Sequence, residues 1–168
     1  DDNITHVDGK IDPVADAETV NTELLLADLE SIEKRADTAA KRAQSGDKEA
    51  KALSNVLNKI LLSLQDGNAA RTVDIDKEEK KIFDGLQLLT AKPVLYVCNV
   101  EEDAAGDGNS QSVRVAEMAT GEGASSVVIS AAIESEVAQL DAEERTEFLE
   151  TLGLEETGLT RIIRAGYE

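Results

Sequence analysis

Val94-Leu95-Tyr96-Val97-Cys98-Asn99-Val100-Glu101-Glu102 is the stretch on which the fold turns. Its opening run, Val94 to Cys98, shows no polar alternation, and Lys92-Pro93 stands in front of it as a break. A second apolar run, Val127-Val128-Ile129, follows and closes on Ser130-Ala131-Ala132. Short continuous apolar runs between helical patterns read as buried parallel strands covered on both faces. Helix, strand, helix, strand is the grammar of an α/β fold, so the two runs are expected in one parallel sheet. Ligands of such sheets bind beyond the carboxyl ends of the strands. Asn99 to Glu102 and Ser130 to Ala132 occupy that place.

Working outward, the region before the first strand is helical. Leu25, Leu29, Ile32, Ala36, Ala39 and Ala43 recur at spacings of 4, 3, 4, 3 and 4, the apolar seam of a coiled coil. Ser45-Gly46-Asp47 supplies a stop and a new cap. Ala50, Leu53, Leu57, Ile60 and Leu64 then repeat the seam until Asp66-Gly67-Asn68 ends it. Two seams joined by so short a turn predict an antiparallel helical hairpin. The organisation that follows is a helical coiled-coil hairpin over 18–74 inserted into an α/β domain made of 1–17 and 75–168. Residues 1–17, with Gly9 and Pro13, read as an irregular lead-in. Asp76 with Glu79 predicts a capping box for a helix through Ile82, Leu86 and Leu89. A helix is expected around Val113, Ala116 and Ala119, another from the Asp141 and Glu144 box to Gly153, and a last one through Leu159, Ile162 and Ile163.

Composition narrows the function classes. The chain has 168 residues, 41% of them hydrophobic and only 2% aromatic, with no Trp. That is enough for one sizeable core built of Leu, Ile, Val and Ala. No leader pattern and no 18-residue apolar run occurs, so neither a signal peptide nor a membrane span is expected, and the reading is cytosolic. The single cysteine, Cys98, lies inside a strand pattern and reads as a small core residue. His6 is the only histidine and reads as a structural or solvent-facing residue; no metal cluster is expected. A net charge of −18 opposes wrapping of nucleic acid by the whole chain. The charge is uneven, though. Residues 134–156 carry nine acids against Arg145, whereas 34–51 carry six bases, among them Lys41, Arg42, Lys48 and Lys51, against three acids.

The two strand ends look like the base-recognition half of a GTPase-type P-loop NTPase, in which Asn-Lys-x-Asp follows one strand and a Ser-Ala turn follows the next. An Asn amide both donates and accepts, so it can bond a purine N7 and tie neighbouring loops. A carboxylate three residues on can accept from ring or exocyclic N–H groups, and the Ser-Ala turn can offer a backbone N–H. Here Val100 stands where the Lys would cover the base, and Glu102 stands where Asp would pair with guanine.

Over the whole chain, in order, the sequence resembles the YchF, or Obg-like, ATPase family. The resemblance is carried by Asp2 to Pro13, Asn21-Thr22-Glu23-Leu24, Lys92-Pro93, Asn99-x-x-Glu102, Leu140-Asp141-x-Glu143-Glu144-Arg145 and Arg161 to Tyr167. It implies a partial P-loop NTPase sheet, nucleotide contacts at Asn99, Val100, Glu102, Ser130 and Ala131, ATP preferred over GTP with Mg, and association with the ribosome through its large subunit. It also implies a phosphate-binding half upstream and a TGS domain downstream. No Gly-x-x-x-x-Gly-Lys-Ser/Thr occurs in the sequence, and that loop cradles the phosphates. The chain therefore reads as a fragment without catalytic residues or magnesium ligands. Two other readings stand beside this one: a non-enzymatic interaction module gripping a partner with its hairpin, and an RNA-binding hairpin whose bases, Lys41, Arg42, Lys48 and Lys51, lead. A solvated helix face would account for the same bases.

Overall fold

The computed structural model describes residues 11–167. The lead-in motif from Asp2 to Lys10, with His6, lies outside the described residues. The chain divides into two compact units, one taking the residues up to Asp16 and those from Val94 on, the other Ala17–Pro93.

The second unit is the helical hairpin and its supports. Helix α1 runs Pro13–Gln44 and α2 runs Lys48–Gln65. The helix begins earlier than the lead-in reading placed it, because Pro13 suits a first helical position whose N–H needs no partner. Asp47 caps α2 by accepting from the Ala50 N–H at 3.0 Å. That bond, with the Arg42 guanidinium 2.7 Å away, holds the Asp47 carboxyl below its usual range. Its contribution is complete above the ordinary Asp range and is lost as pH falls through the lowered value. Gly46, at φ +92°, makes the turn. The seam is buried as the spacing requires: Ile32, Ala36, Ala39, Leu57, Ile60 and Leu64 form one cluster, with Leu25, Leu29 and Leu53 packed against it.

The segment from residue 75 to Pro93 departs from expectation. The sequence pattern places it with the α/β part, whereas Ile75, Ile82, Phe83, Leu86 and Leu88 pack into the hairpin's cluster. The Asp76 and Glu79 box forms, with Asp76 Oδ1 accepting from the Glu79 N–H at 2.9 Å. Yet helix α3 spans only Lys80–Leu86, since Gln87 turns left-handed at φ 53°. What fixes the chain beyond it is a charge. Asp28, 4% exposed, accepts from the N–H groups of Leu89 and Thr90 and from Thr90 Oγ1, at 2.9, 2.7 and 2.7 Å. Thr90 Oγ1 in turn accepts from the Ala70 N–H at 3.0 Å.

The first unit is the α/β part. Strand β1, Leu95–Asn99, pairs in parallel with β2, Ser125–Ile129, so that Asn99 faces Ile129. Between them lies α4, Ser110–Gly121, and after them α5, Ala131–Val137, α6, Ala142–Thr151, and α7, Gly158–Tyr167. Helix α4 packs on both strands, as does α7. The α4 face differs from the one expected: Val113 is half exposed, and Ser112, Val115 and Ala119 are buried. Ser112 and Asn109 exchange a capping box there, and the buried stripe in the first two turns lies one residue before the expected one, with Ala119 common to both. The Asp141 and Glu144 box caps α6 as read. Among the described residues, no helix is long and apolar enough to cross a membrane.

The triple acceptor role of Asp28 yields a test. Asp28→Ala strands two buried donors and one half-buried donor and is expected to destabilise the second unit by about 3 kcal/mol. Asp28→Asn, with one acceptor oxygen left, should lose less. Urea unfolding of the two variants checks the order.

Candidate functional site

Parallel pairing alternates the backbone groups that a strand shows to its neighbour. The Val100 N–H donates to Ile129 O at 2.9 Å and the Ser125 N–H to Val94 O at 3.3 Å. Tyr96 and Cys98 therefore turn their backbone groups toward β2, and Leu95, Val97 and Asn99 turn theirs to the other edge. The register brings both strands to an end at one level, and the two loops beyond meet there.

Asn99 joins them. Its Oδ1 accepts from the Ala131 N–H at 2.8 Å, so the end of β1 is tied to the first residue of α5. That bond does not use the side-chain amide nitrogen. The Ala131 N–H, expected to serve a ligand, is instead the partner of Asn99. Ser130 is 2% exposed, and its Oγ is one of two buried side-chain polar atoms without a partner among the described residues. Val100 is 3% exposed; it belongs to the interior and does not stand open as a cover for a ring. Glu102 opens a single 3-10 turn, Glu102–Ala104, with its side chain exposed. The structure thus gathers Asn99, Ser130, Ala131 and the Glu102 turn at the strand ends, and turns Val100 inward.

A cleft of about 500 Å³ runs along β1, walled by Tyr96 to Glu101 on one side and Asn109 to Ser112 on the other. Cys98 lies in its wall, where burial pushes the thiol up. A thiol so raised stays protonated at neutral pH and is a poor nucleophile. Among the described residues no group of three His, Cys, Asp or Glu is placed to hold a metal.

Helix α7 supplies the contacts that reading by motif missed. Glu134 accepts from the Gly158 N–H at 2.6 Å, and Arg161 reaches the Ala105 carbonyl at the end of the Glu102 turn. Arg161 to Tyr167 carried the family resemblance but had no role in it; a Gly beside a strand end and an Arg one turn later were the available signal. In the second unit, Lys41, Arg42, Lys48 and Lys51 are all exposed. Arg42 is paired with Asp47, and a groove beside it is lined by Lys34, Arg35, Arg42, Ala39, Ala50 and Leu53, among others.

An α/β unit of this topology, accompanied by a helical hairpin, is the architecture found in a YchF GTPase from Schizosaccharomyces pombe. That structure matches 99% of this chain and 46% of its own at a TM-score of 0.86 and 28% identity. No protein-family model matches the sequence. The ribosome-binding ATPases YchF of Bacillus subtilis and Haemophilus influenzae are 46% and 51% identical to it, each over 99% of this chain. That of Escherichia coli O157:H7 is 47% identical over the same share. This chain is homologous to YchF over nearly its full length, and it spans 46% of the length of these relatives.

The geometry generates two tests at the strand ends. Asn99→Ala removes the acceptor of the Ala131 N–H, so amide exchange at Ala131 should accelerate about tenfold, the equivalent of one net hydrogen bond. Val100→Lys would bury an ammonium and should cost about 3 kcal/mol or more, against less than about 1.5 for Val100→Ile. Thermal unfolding separates the pair.

Proposed function

We propose that this chain supplies the base-recognition part of a ribosome-associated nucleoside triphosphate hydrolase that prefers ATP to GTP. The observation that carries the reading is the Asn99 bridge. One side chain locks two loops together at the carboxyl ends of parallel strands through its amide oxygen, and that bond does not use its amide N–H groups. An amide N–H there suits a purine N7, and the exposed carboxylate of Glu102 suits the exocyclic amino group of adenine. Guanine presents two donors side by side, which a shorter Asp meets with both oxygens. The names of the homologous proteins, ribosome-binding ATPase and GTPase, agree with this assignment.

ATP therefore fits the residues present through its base. Its phosphates and Mg do not, since no phosphate loop occurs in the sequence and no metal-ligand cluster is placed among the described residues. In this reading the phosphate and Mg sites, and a TGS domain, lie in parts of the protein other than this chain, which supplies orientation of the base and contact with the ribosome. The inserted hairpin meets the large ribosomal subunit, in the cytoplasm, with its basic end leading. Lys41, Arg42, Lys48 and Lys51 form that end on a chain whose net charge of −18 otherwise repels RNA.

Two experiments on the natural protein at its full encoded length test the reading. Glu102→Asp should move the ratio of ATP to GTP affinity toward GTP by about tenfold, the scale of one mispaired buried group. An unchanged ratio in competition titrations would remove Glu102 as the selector. Reversing Lys41, Arg42, Lys48 and Lys51 to Glu leaves the buried seam intact. It should weaken ribosome co-sedimentation and flatten its salt dependence by about one unit per lost phosphate contact. Equal pelleting at every salt concentration would make the basic end a solvated face.

A further inference from the structure

The first turn of α7 is built against both loops of the site. Gly158 lies so close to β2 that a Cβ on it would stand 2.7 Å from Ile129 Cγ2, and Ile129 directly precedes Ser130. From the same place the Gly158 and Leu159 N–H groups donate to the two carboxylate oxygens of Glu134 on α5, at 2.6 and 3.1 Å. Helix α7 is thereby held to the end of β2 and to α5, the elements on either side of Ser130.

Arg161 holds it to the other loop. Both Nη atoms donate to the Ala105 carbonyl oxygen, at 3.3 and 3.2 Å. Ala105 is 2% exposed, and its N–H donates to the Glu102 carbonyl at 3.2 Å. The guanidinium therefore grips the residue that caps the end of the turn Glu102 opens. Arg161 Nε is buried without a partner among the described residues, an arrangement that weakens the case for Arg161 as a device of stability alone. A buried donor left over costs stability, whereas an apolar side chain would pack the same space without it. A planar fork on one carbonyl fixes direction as well as distance.

We propose that Arg161 is a positioning residue for base choice, setting the Glu102 turn against the Ser130 loop, with Gly158 and Glu134 completing the clamp. The inference rests on the reading of Glu102 as the base selector. A side chain that discriminates between bases by hydrogen bonding must be held to a fraction of an ångström. The 3-10 turn that carries Glu102 is held by its own short bonds, by the Gly108 N–H donating to the Ala104 carbonyl at 2.8 Å and by the burial of Ala105 against Ile133, Val137 and Leu149; the Arg161 grip is the long-range hydrogen bond that adds direction to them.

The test measures ATP and GTP affinities by competition in the full-length natural protein, together with amide exchange over 102–108. Arg161→Met keeps the aliphatic stem and removes the fork; Arg161→Lys returns one donor. Arg161→Met is expected to lower the ATP-to-GTP ratio by about tenfold, one hydrogen bond's worth of discrimination, and to speed exchange over 102–108. Arg161→Lys should recover part of both. Glu102→Gln serves as the reference. If it leaves the ratio unchanged, the reading of Glu102 falls and this inference with it. If Glu102→Gln shifts the ratio while Arg161→Met weakens both nucleotides equally, Arg161 is structural only and the proposal is overturned. Should Arg161→Met not fold, Arg161→Lys decides: a partial loss of the ratio supports the clamp, and an unchanged ratio overturns it.

Discussion

The 2.8 Å bond from the Ala131 N–H to Asn99 Oδ1 is the contact on which the α/β unit's site depends. Parallel strands are joined by long crossovers, so their ends have no turn to hold them level. Register alone sets Asn99 opposite Ile129, and the side chain of Asn99 then closes the gap to the next residue but one. Everything proposed for the site follows from that closure. The Glu102 turn starts from a fixed point, Ser130 is sealed inside, and α5 starts with its first N–H satisfied.

The hairpin was legible because its code is redundant. Spacings of 3 and 4 over many turns leave one face for burial, and Ile32, Ala36, Ala39, Leu57, Ile60 and Leu64 occupy it. Asp28 was illegible for the opposite reason. It sits near the apolar seam, and only a distant segment, Leu89-Thr90, explains it. The same long-range pull assigned residues 75–93 to the hairpin, because Leu86 and Leu88 found an apolar face there that a local reading of the Asp76 box could not foresee. In α4 the pattern pointed to Val113, Ala116 and Ala119, and Val115 is buried where Val113 was expected. Ser112, drawn in as the partner of the Asn109 cap, is buried on the same face as Val115 and Ala119, a pairing that an apolar pattern does not register.

At the site, residue types were readable and their partners were not. Asn99 and the Ser130-Ala131 turn are read from their place after apolar runs, a topological argument, and the structure sets both at the strand ends. That Asn99 takes the Ala131 N–H for itself, and that Val100 points inward, are facts of packing at the strand ends. They redistribute the chemistry. With Val100 in the interior and the Ala131 N–H occupied, the proposed discrimination between bases rests on the amide nitrogen of Asn99 and the carboxylate of Glu102.

Charge and rigidity divide the chain along the same line. The acids of 134–156 crowd the helices that follow β2, and one of them, Glu134, is drawn into structure by two backbone N–H groups of α7. The bases of 34–51 sit on the hairpin, largely exposed, with Arg42 held by the Asp47 cap. A cation used for capping has less freedom to meet a phosphate than its neighbours have. Lys41, Lys48 and Lys51 are therefore the better electrostatic probes of a partner, and Arg42 is the better probe of the turn itself. The same logic separates Arg161 from the surface bases. Its charge is committed to one backbone carbonyl, so its influence on a ligand passes through the geometry of the Glu102 turn and not through long-range attraction.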